Sequence, residues 1–397
     1  MNKNRLKIIS AAFICFCTVQ LAAASAADAQ ATPSPVEERQ LVISLEPRPT
    51  QTPLYTPTPS PVPQFTVGGK TVSAAEESVT LSSAEELLLL EKFPNLKAVD
   101  ASSFVLDSST AYSYVKKYPD VAFKFSLDFF GTVLGPEDTA ADISGRKDIS
   151  LNTVQETAAC MQSLLKINMC GCGFTNEEMG ALQEKYPSVK FVWEVKMGTH
   201  TLRTDAVGFS CLNPGKYVNE NSSESYKKAV KNCKRLYTKD IEVLKYCTDL
   251  EALDLGHNYI DDLSVLSCLP KLKILIVADN KLTDISVLKD LKELVYVEFF
   301  MNAVTDISCL ANHEKLLDLN FCNNKVADLS PLETMPQLER VWCAGNKFDK
   351  ATGKALQEKL PDCIVDYTAR DDTADGWREH ERYEWMRAYV KGEHNPE

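Results

Sequence analysis

The chain has 397 residues, with 43 Lys and Arg against 55 Asp and Glu, a net charge of −12 and 44% hydrophobic residues. That length accommodates about two or three domains, and the apolar content is ample for a core. No basic run is present. Nucleic-acid binding needs clustered Lys and Arg, so no nucleic-acid partner is expected.

Residues 1–26 read as a secretory signal peptide. Lys3, Arg5 and Lys7 form the positive end, residues 8–19 the apolar run, and Ala24, Ser25 and Ala26 the small residues suited to cleavage. An uncleaved signal anchor is the alternative, but the run is short for a spanning helix and Gln20 interrupts it. The expectation is a secreted or cell-surface protein with no integral membrane segment after cleavage. Residues 27–66 form a Pro/Thr-rich linker, disordered because Pro33, Pro35, Pro47, Pro49, Pro53, Pro57, Pro59, Pro61 and Pro63 deny it both helix and sheet ladder.

Residues 67–210 carry a strand–helix–strand pattern. A strand precedes Asp100, a helix covers residues 112–118, and alternation returns over residues 118–125. About 68 residues later the pattern recurs, with a strand at residues 165–169, a helix at 176–185 and a strand at 186–193. Thr175, followed three positions on by Glu178, is a capping-box signature. A partial third copy lies near the other end, where Ala355-Leu356-Gln357-Glu358-Lys359-Leu360-Pro361 nearly repeats Ala181-Leu182-Gln183-Glu184-Lys185-Tyr186-Pro187. These units read as larger coils or a packed α/β subdomain that caps the ends of a repeat array.

Residues 211–247 are a connector and a degenerate repeat, with a helix expected over residues 225–236 and Ile241, Leu244 and Cys247 anticipating the phase that follows. Residues 248–367 then repeat one unit at a period of 22. Asn falls at 258, 280, 302, 324 and 346, preceded at fixed offsets by apolar triplets such as Leu250, Leu253 and Leu255. The triplets alternate with other residues, which is strand periodicity. Asn258, Asn280, Asn302, Asn324 and Asn346 form the expected structural ladder, because an amide that both donates and accepts can pair turn backbone that would otherwise be buried unsatisfied. Asp262, Asp284, Asp306 and Asp328 are expected to cap a short convex turn. One coil cannot bury its own apolar face, so the architecture is a solenoid.

The pattern L-x-x-L-x-L-x-x-N-x-(L/I/V) resembles the leucine-rich repeat family. The 22-residue length and Asp-Ile-Ser segment resemble its short, internalin-like variety. Residues 170–172, the turn at Lys196-Met197-Gly198, the Leu202-Arg203-Thr204-Asp205 run and Gly376-Trp377-Arg378 together resemble uncharacterised secreted leucine-rich repeat proteins of Firmicutes. That resemblance implies an architecture and no known activity. The expected fold class is therefore α/β: a leucine-rich repeat solenoid with a curved parallel sheet, a short helical or irregular convex side and flanking strand–helix–strand capping units. Residues 368–397 form a charged, aromatic C-terminal tail, whose Tyr383, Met386, Tyr389 and Val390 share a helical face expected to dock on the last coil.

No catalytic constellation is visible. The chain has no H-E-x-x-H, G-x-S-x-G, P-loop or G-x-G-x-x-G. Cys170-Gly171-Cys172 lacks the second pair that a zinc site favours, and several other cysteines, Cys247, Cys268, Cys309 and Cys343, fall at repeat positions expected in the core, where a thiol behaves as a small hydrophobe. The expectation is no enzyme, no metal and no cofactor. The concave columns are more informative. Ile274, Ile276, Tyr296, Phe300, Met301 and Trp342 cluster over adjacent coils beside Glu298, Asp318 and Arg340. An aromatic patch rimmed by charges has the composition of a binding site. These nine residues are the candidate site, for a protein, peptide or glycan ligand recognised without catalysis. The alternatives are that flanking segments cover the patch, and that the chain is a structural or scaffolding part of the cell envelope. Oligomeric state is not legible.

Overall fold

The computed structural model describes residues 60–211, 234–368 and 372–392. The signal-like start, most of the proline-rich linker and most of the helix expected over residues 225–236 lie outside the described residues.

After an antiparallel hairpin, β1 (Gln64–Val67) with β2 (Lys70–Ser73), two small sheets follow. In the first, β3 (Ser78–Thr80), β4 (Ala98–Asp107) and β5 (Ala122–Phe129) run parallel, and β6 (Thr132–Leu134) returns antiparallel. In the second, β7 (Ala140–Asp142), β8 (Lys166–Asn168) and β9 (Lys190–Val192) are all parallel. The helices Ser108–Lys117, Leu151–Cys160 and Asn176–Lys185 connect them. Thr175 and Glu178 close the capping box on the third helix. Gln183 in that helix clamps the strand that follows, donating to the Val189 carbonyl and accepting from Phe191 N–H. Gln357 in the helix Lys350–Lys359 makes the equivalent pair with Cys363 and Val365. The sequence likeness of these two segments thus reflects one shared local device.

A second hairpin, β10 (Glu194–Met197) with β11 (His200–Arg203), leads into the solenoid. Its sheet has seven parallel strands in sequence order: β12 (Gly208–Ser210), β13 (Ala252–Asp254), β14 (Ile274–Ile276), β15 (Tyr296–Glu298), β16 (Asp318–Asn320), β17 (Arg340–Trp342) and β18 (Ile364–Asp366). The first strand lies before residue 211, inside the stretch assigned above to the N-terminal region. Gly208 pairs with Ala252, 44 residues on, so the coil between β12 and β13 spans two periods and the strand keeps the 22-residue phase. Each strand points its middle residue inward, and Leu253, Leu275, Val297, Leu319 and Val341 are fully buried. One continuous core runs from Val67 to Val365.

The Asn ladder joins the coils. The Asn302 amide accepts from Leu282 N–H at 3.0 Å and donates to the Phe299 carbonyl of its own coil and the Val277 carbonyl of the preceding coil, each at 3.0 Å. Asn280, Asn324 and Asn346 repeat this three-way bridge. On the convex side Asp262, Asp284, Asp306 and Asp328 each accept the N–H of the Ser two residues on, at 2.7–2.8 Å. The residue just before each Asn adopts a left-handed backbone: His257, Asp279, Met301, Asn323 and Gly345, with φ from 51 to 74°. None of the ten described cysteines forms a disulfide. Cys170 and Cys172 are buried, and the Cys172 thiol donates to the Ile143 carbonyl.

Asn302→Ala removes a donor and an acceptor shared between two coils. It is expected to cost about 1–3 kcal/mol, read as a lowered midpoint in urea denaturation.

Candidate functional site

The parallel register stacks the outward residues in two columns. One runs Gly208, Ala252, Ile274, Tyr296, Asp318, Arg340, Ile364; the other runs Ser210, Asp254, Ile276, Glu298, Asn320, Trp342, Asp366. All nine candidate residues stand on or beside these columns, but they do not form an open surface. Ile274, Ile276, Tyr296, Glu298, Phe300, Asp318, Arg340 and Trp342 are buried. Only Met301, at the sheet edge, stays exposed, at 37%. The cover is the chain's own C-terminal segment, residues 372–392. A self-complementary aromatic patch gains more from burial under a tethered segment than from water.

The cover is specific. Trp377, fully buried, packs its ring 5.5 Å from Tyr296 and 5.2 Å from Trp342, with the Arg340 guanidinium 4.4 Å over its face. Its indole N–H donates to Glu298 Oε1 at 2.7 Å. Trp342 Nε1 donates to the Ala374 carbonyl at 3.0 Å, and Asn320 to the Asp372 carbonyl at 2.6 Å. The C-terminal helix, Glu381–Val390, follows. It does not dock on the last coil, as its apolar face suggested, but runs back along the concave side. Arg382 reaches Asp318, while Tyr389, near the other end, donates to Glu251 beside β13. Gly208 admits this end of the helix, since a Cβ there would stand 1.9 Å from the Tyr389 carbonyl oxygen.

Asp318 anchors the arrangement. It is fully buried between two guanidinium groups, bonded to Arg340 at 2.9 and 2.7 Å and to Arg382 at 2.7 and 2.9 Å. Burial pushes its carboxyl up, but the bonds and charges of the two arginines together hold it below its ordinary range.

Between the first three coils and the C-terminal helix lies a cavity of about 550 Å3. Asp254, His257 and Glu298 line it from the coils, and Arg378, Tyr383, Glu384, Met386, Arg387, Val390 and Lys391 from the tail. His257 pairs with Asp279 at 2.9 Å. Asp254 accepts from Gly256 N–H and the Ser210 hydroxyl, yet burial still pushes its carboxyl up. Glu298 accepts from the Tyr296 hydroxyl and the Trp377 indole, and burial, with Asp254 nearby, raises it from 4.5 to about 6. Nothing in the site positively indicates enzyme activity.

Trp377, Arg378, Arg382 and Asp254 were not among the candidate residues. Asp254 stood in the right column but without an aromatic neighbour to mark it. The tail has no period that could place its residues on the sheet.

The parallel three-residue strands, the 22-residue coil and the Asn ladder define an internalin-like leucine-rich repeat solenoid. Among solved structures the chain is similar to internalin C2 of Listeria monocytogenes strain 4b F2365, with 19% identity, 66% of this chain and 91% of that one covered, and a TM-score of 0.32. It is also similar to the internalin InlF of the same strain, at 17% identity, 82% and 88% coverage and a TM-score of 0.31. The leucine-rich repeat domain of APL1B matches at 17% identity over 33% of this chain and 44% of that one, with a TM-score of 0.27. No protein-family model and no curated protein matches the sequence. Among the described residues no helix is long and apolar enough to cross a membrane.

Asp318→Asn leaves the buried Arg340 guanidinium without its counter-charge and takes from the partly exposed Arg382 one of its two carboxylate partners. It is expected to destabilise the protein by about 3–5 kcal/mol, measured by chemical denaturation. Glu298→Gln should do the opposite above neutrality. The groups facing Glu298 are Asp254 and His257 from the first coil, Tyr296 on its own strand, and Arg378, Tyr383 and Arg387 from the tail. Its folded pKa of about 6 lies above the ordinary 4.5, so its contribution to stability is whole below pH 4.5 and lost as pH rises through about 6. Relative to the parent, the variant should gain up to about 2 kcal/mol between those limits, seen as a difference in denaturation free energy that opens with pH.

Proposed function

We propose that the protein is a non-catalytic, extracellular recognition module that binds a protein partner through a peptide segment. The surface that reads the partner is composite, made by the first coils of the concave face together with the C-terminal helix. The observation that carries this reading is the cavity of about 550 Å3 left between them, a size suited to a few side chains rather than a folded surface. Its floor is acidic, its walls are apolar and its rim carries Arg378, Arg387 and Lys391 with Glu384 among them, so a partner would be read by charge as well as shape. The signal-like residues 1–26 and the proline-rich stretch to residue 66 support export and a spacer role. The strand–helix–strand units before β12 and the helix Lys350–Lys359 serve as caps for the stack, which repeat arrays need for solubility. A glycan ligand has less support, because the aromatic residues that would stack on sugar rings are the ones the tail covers.

The second reading, a structural component of the cell envelope, is favoured by that same self-cover, since the aromatic patch needs no partner to stay dry. The two separate by experiment. Arg378 and Arg387 are exposed at the cavity rim, so Arg378→Glu with Arg387→Glu should leave the melting temperature unchanged. Peptides selected from a random library on the parent protein should bind this variant at least about tenfold more weakly. A library that yields no peptide sensitive to the rim would favour the structural reading.

A further inference from the structure

Glu298 is the least settled group in the cavity. It is 4% exposed, and both of its hydrogen bonds among the described residues, from the Tyr296 hydroxyl and the Trp377 indole, fall on Oε1. Among the described residues Oε2 accepts none. Nor is it a sealed orphan, because the only buried side-chain atom without a partner among the described residues is the Tyr118 hydroxyl. Oε2 therefore opens on the cavity that Glu298 lines. An ionised oxygen held with so little water is costly unless a cation meets it.

The surroundings select the kind of cation. Asp254 stands in the same column two strands away, with Ile276 between, a separation of about 10 Å. The acids thus flank an apolar step and do not converge on a point. No group of three or more His, Cys, Asp or Glu suited to a metal ion exists among the described residues. The walls beside Glu298 are Ile276, Phe300, Tyr383, Met386 and Val390, which favour an aliphatic stem, with two aromatic rings able to face a cation. At the mouth, Arg378 and Lys391 are exposed donors and favour carbonyl or carboxylate oxygens at the outer end of that stem, while Arg387 pairs with the exposed Glu384.

We infer that this cavity is a binding site for a primary ammonium, as borne at the end of a lysine side chain or at a peptide amino terminus, with Glu298 Oε2 as its counter-ion. The inference deepens the recognition reading and rests on it. The ammonium donates to Oε2, the stem of a lysine lies on Ile276 and Met386, and Arg378 and Lys391 take the acceptors of the ligand backbone.

The Trp377 indole N–H, bonded to the same carboxylate, is the reporter. Three probes are titrated into the folded, isotope-labelled protein: N-acetyl-lysine methylamide, N-acetyl-norleucine methylamide and alanyl-alanine amide. The lysine probe, the alanyl-alanine probe or both should shift the Trp377 indole resonance saturably, and whichever binds more tightly identifies the source of the ammonium. The norleucine probe, which has the stem without the charge, should bind at least about tenfold more weakly. Glu298→Gln keeps an acceptor for Tyr296 and Trp377, so it should fold as the parent does and lose the response. Equal binding of the norleucine probe, an unchanged affinity in Glu298→Gln, or no saturable shift with any probe would each overturn the ammonium site. Should rim-sensitive peptides be found while no ammonium probe binds, the recognition reading stands and this assignment alone falls.

Discussion

A strand of three residues can send only one side chain inward. The strands of this solenoid obey that rule in parallel register, so each coil repeats the phase of the one before. A column of Leu and Val fills the core, and two outward columns stand on the concave side. A slip of one residue would exchange the inward column for the outward ones. The amides of Asn280, Asn302, Asn324 and Asn346 oppose such a slip because each must reach carbonyls of two coils at once. The core, the concave columns and the seat of the tail all follow from this fixed phase.

The outward columns carry ionic groups that a buried surface would ordinarily reject. Asp318 and Arg340 alone would leave part of their hydrogen-bonding capacity unmet, and ion pairs desolvated in that way contribute little or nothing net. Arg382 fills the remaining acceptor positions and the Trp377 carbonyl takes Arg340 Nη1. The network therefore closes only when the tail is seated. Its value lies in fixing where the tail sits, because a shifted placement would leave the remaining acceptor positions of Asp318 and the Arg340 Nη1 donor unmet. At the other end of the concave face the same residue types are less completely matched. There, among the described residues, one oxygen of Glu298 accepts no hydrogen bond and Asp254 is buried without a basic partner bonded to it. The contrast divides the face into a closed half and a half that still has room.

The parts of this design that repeat were legible in the sequence. The offsets before each Asn gave the core positions, the columns and the ladder, because a 22-residue period converts position directly into place. Thr175 with Glu178, and the matched Gln183 and Gln357 segments, were readable as local helix signals. The seat of the C-terminal helix was not. Tyr389 meets Glu251 across 138 residues and Trp377 meets Glu298 across 79, and no period relates those positions. Its apolar face told that it would dock, and nothing in it told where. Gly208 shows the same limit. A single glycine at the start of the sheet carries no pattern, although the carbonyl of Tyr389 depends on it.

The tail also changes the kind of molecule a stack of coils can be. In an open solenoid each coil touches only its neighbours, so stability adds up along one dimension and the ends can fray while the middle persists. Here one segment of about twenty residues holds Asp318, Arg340 and Trp342 toward one end, and Gly208, Glu251 and Lys273 toward the other. A terminal coil cannot open without releasing contacts several coils away. The linear array thereby behaves as a hoop, whose opening is a single cooperative event rather than a sequence of local ones.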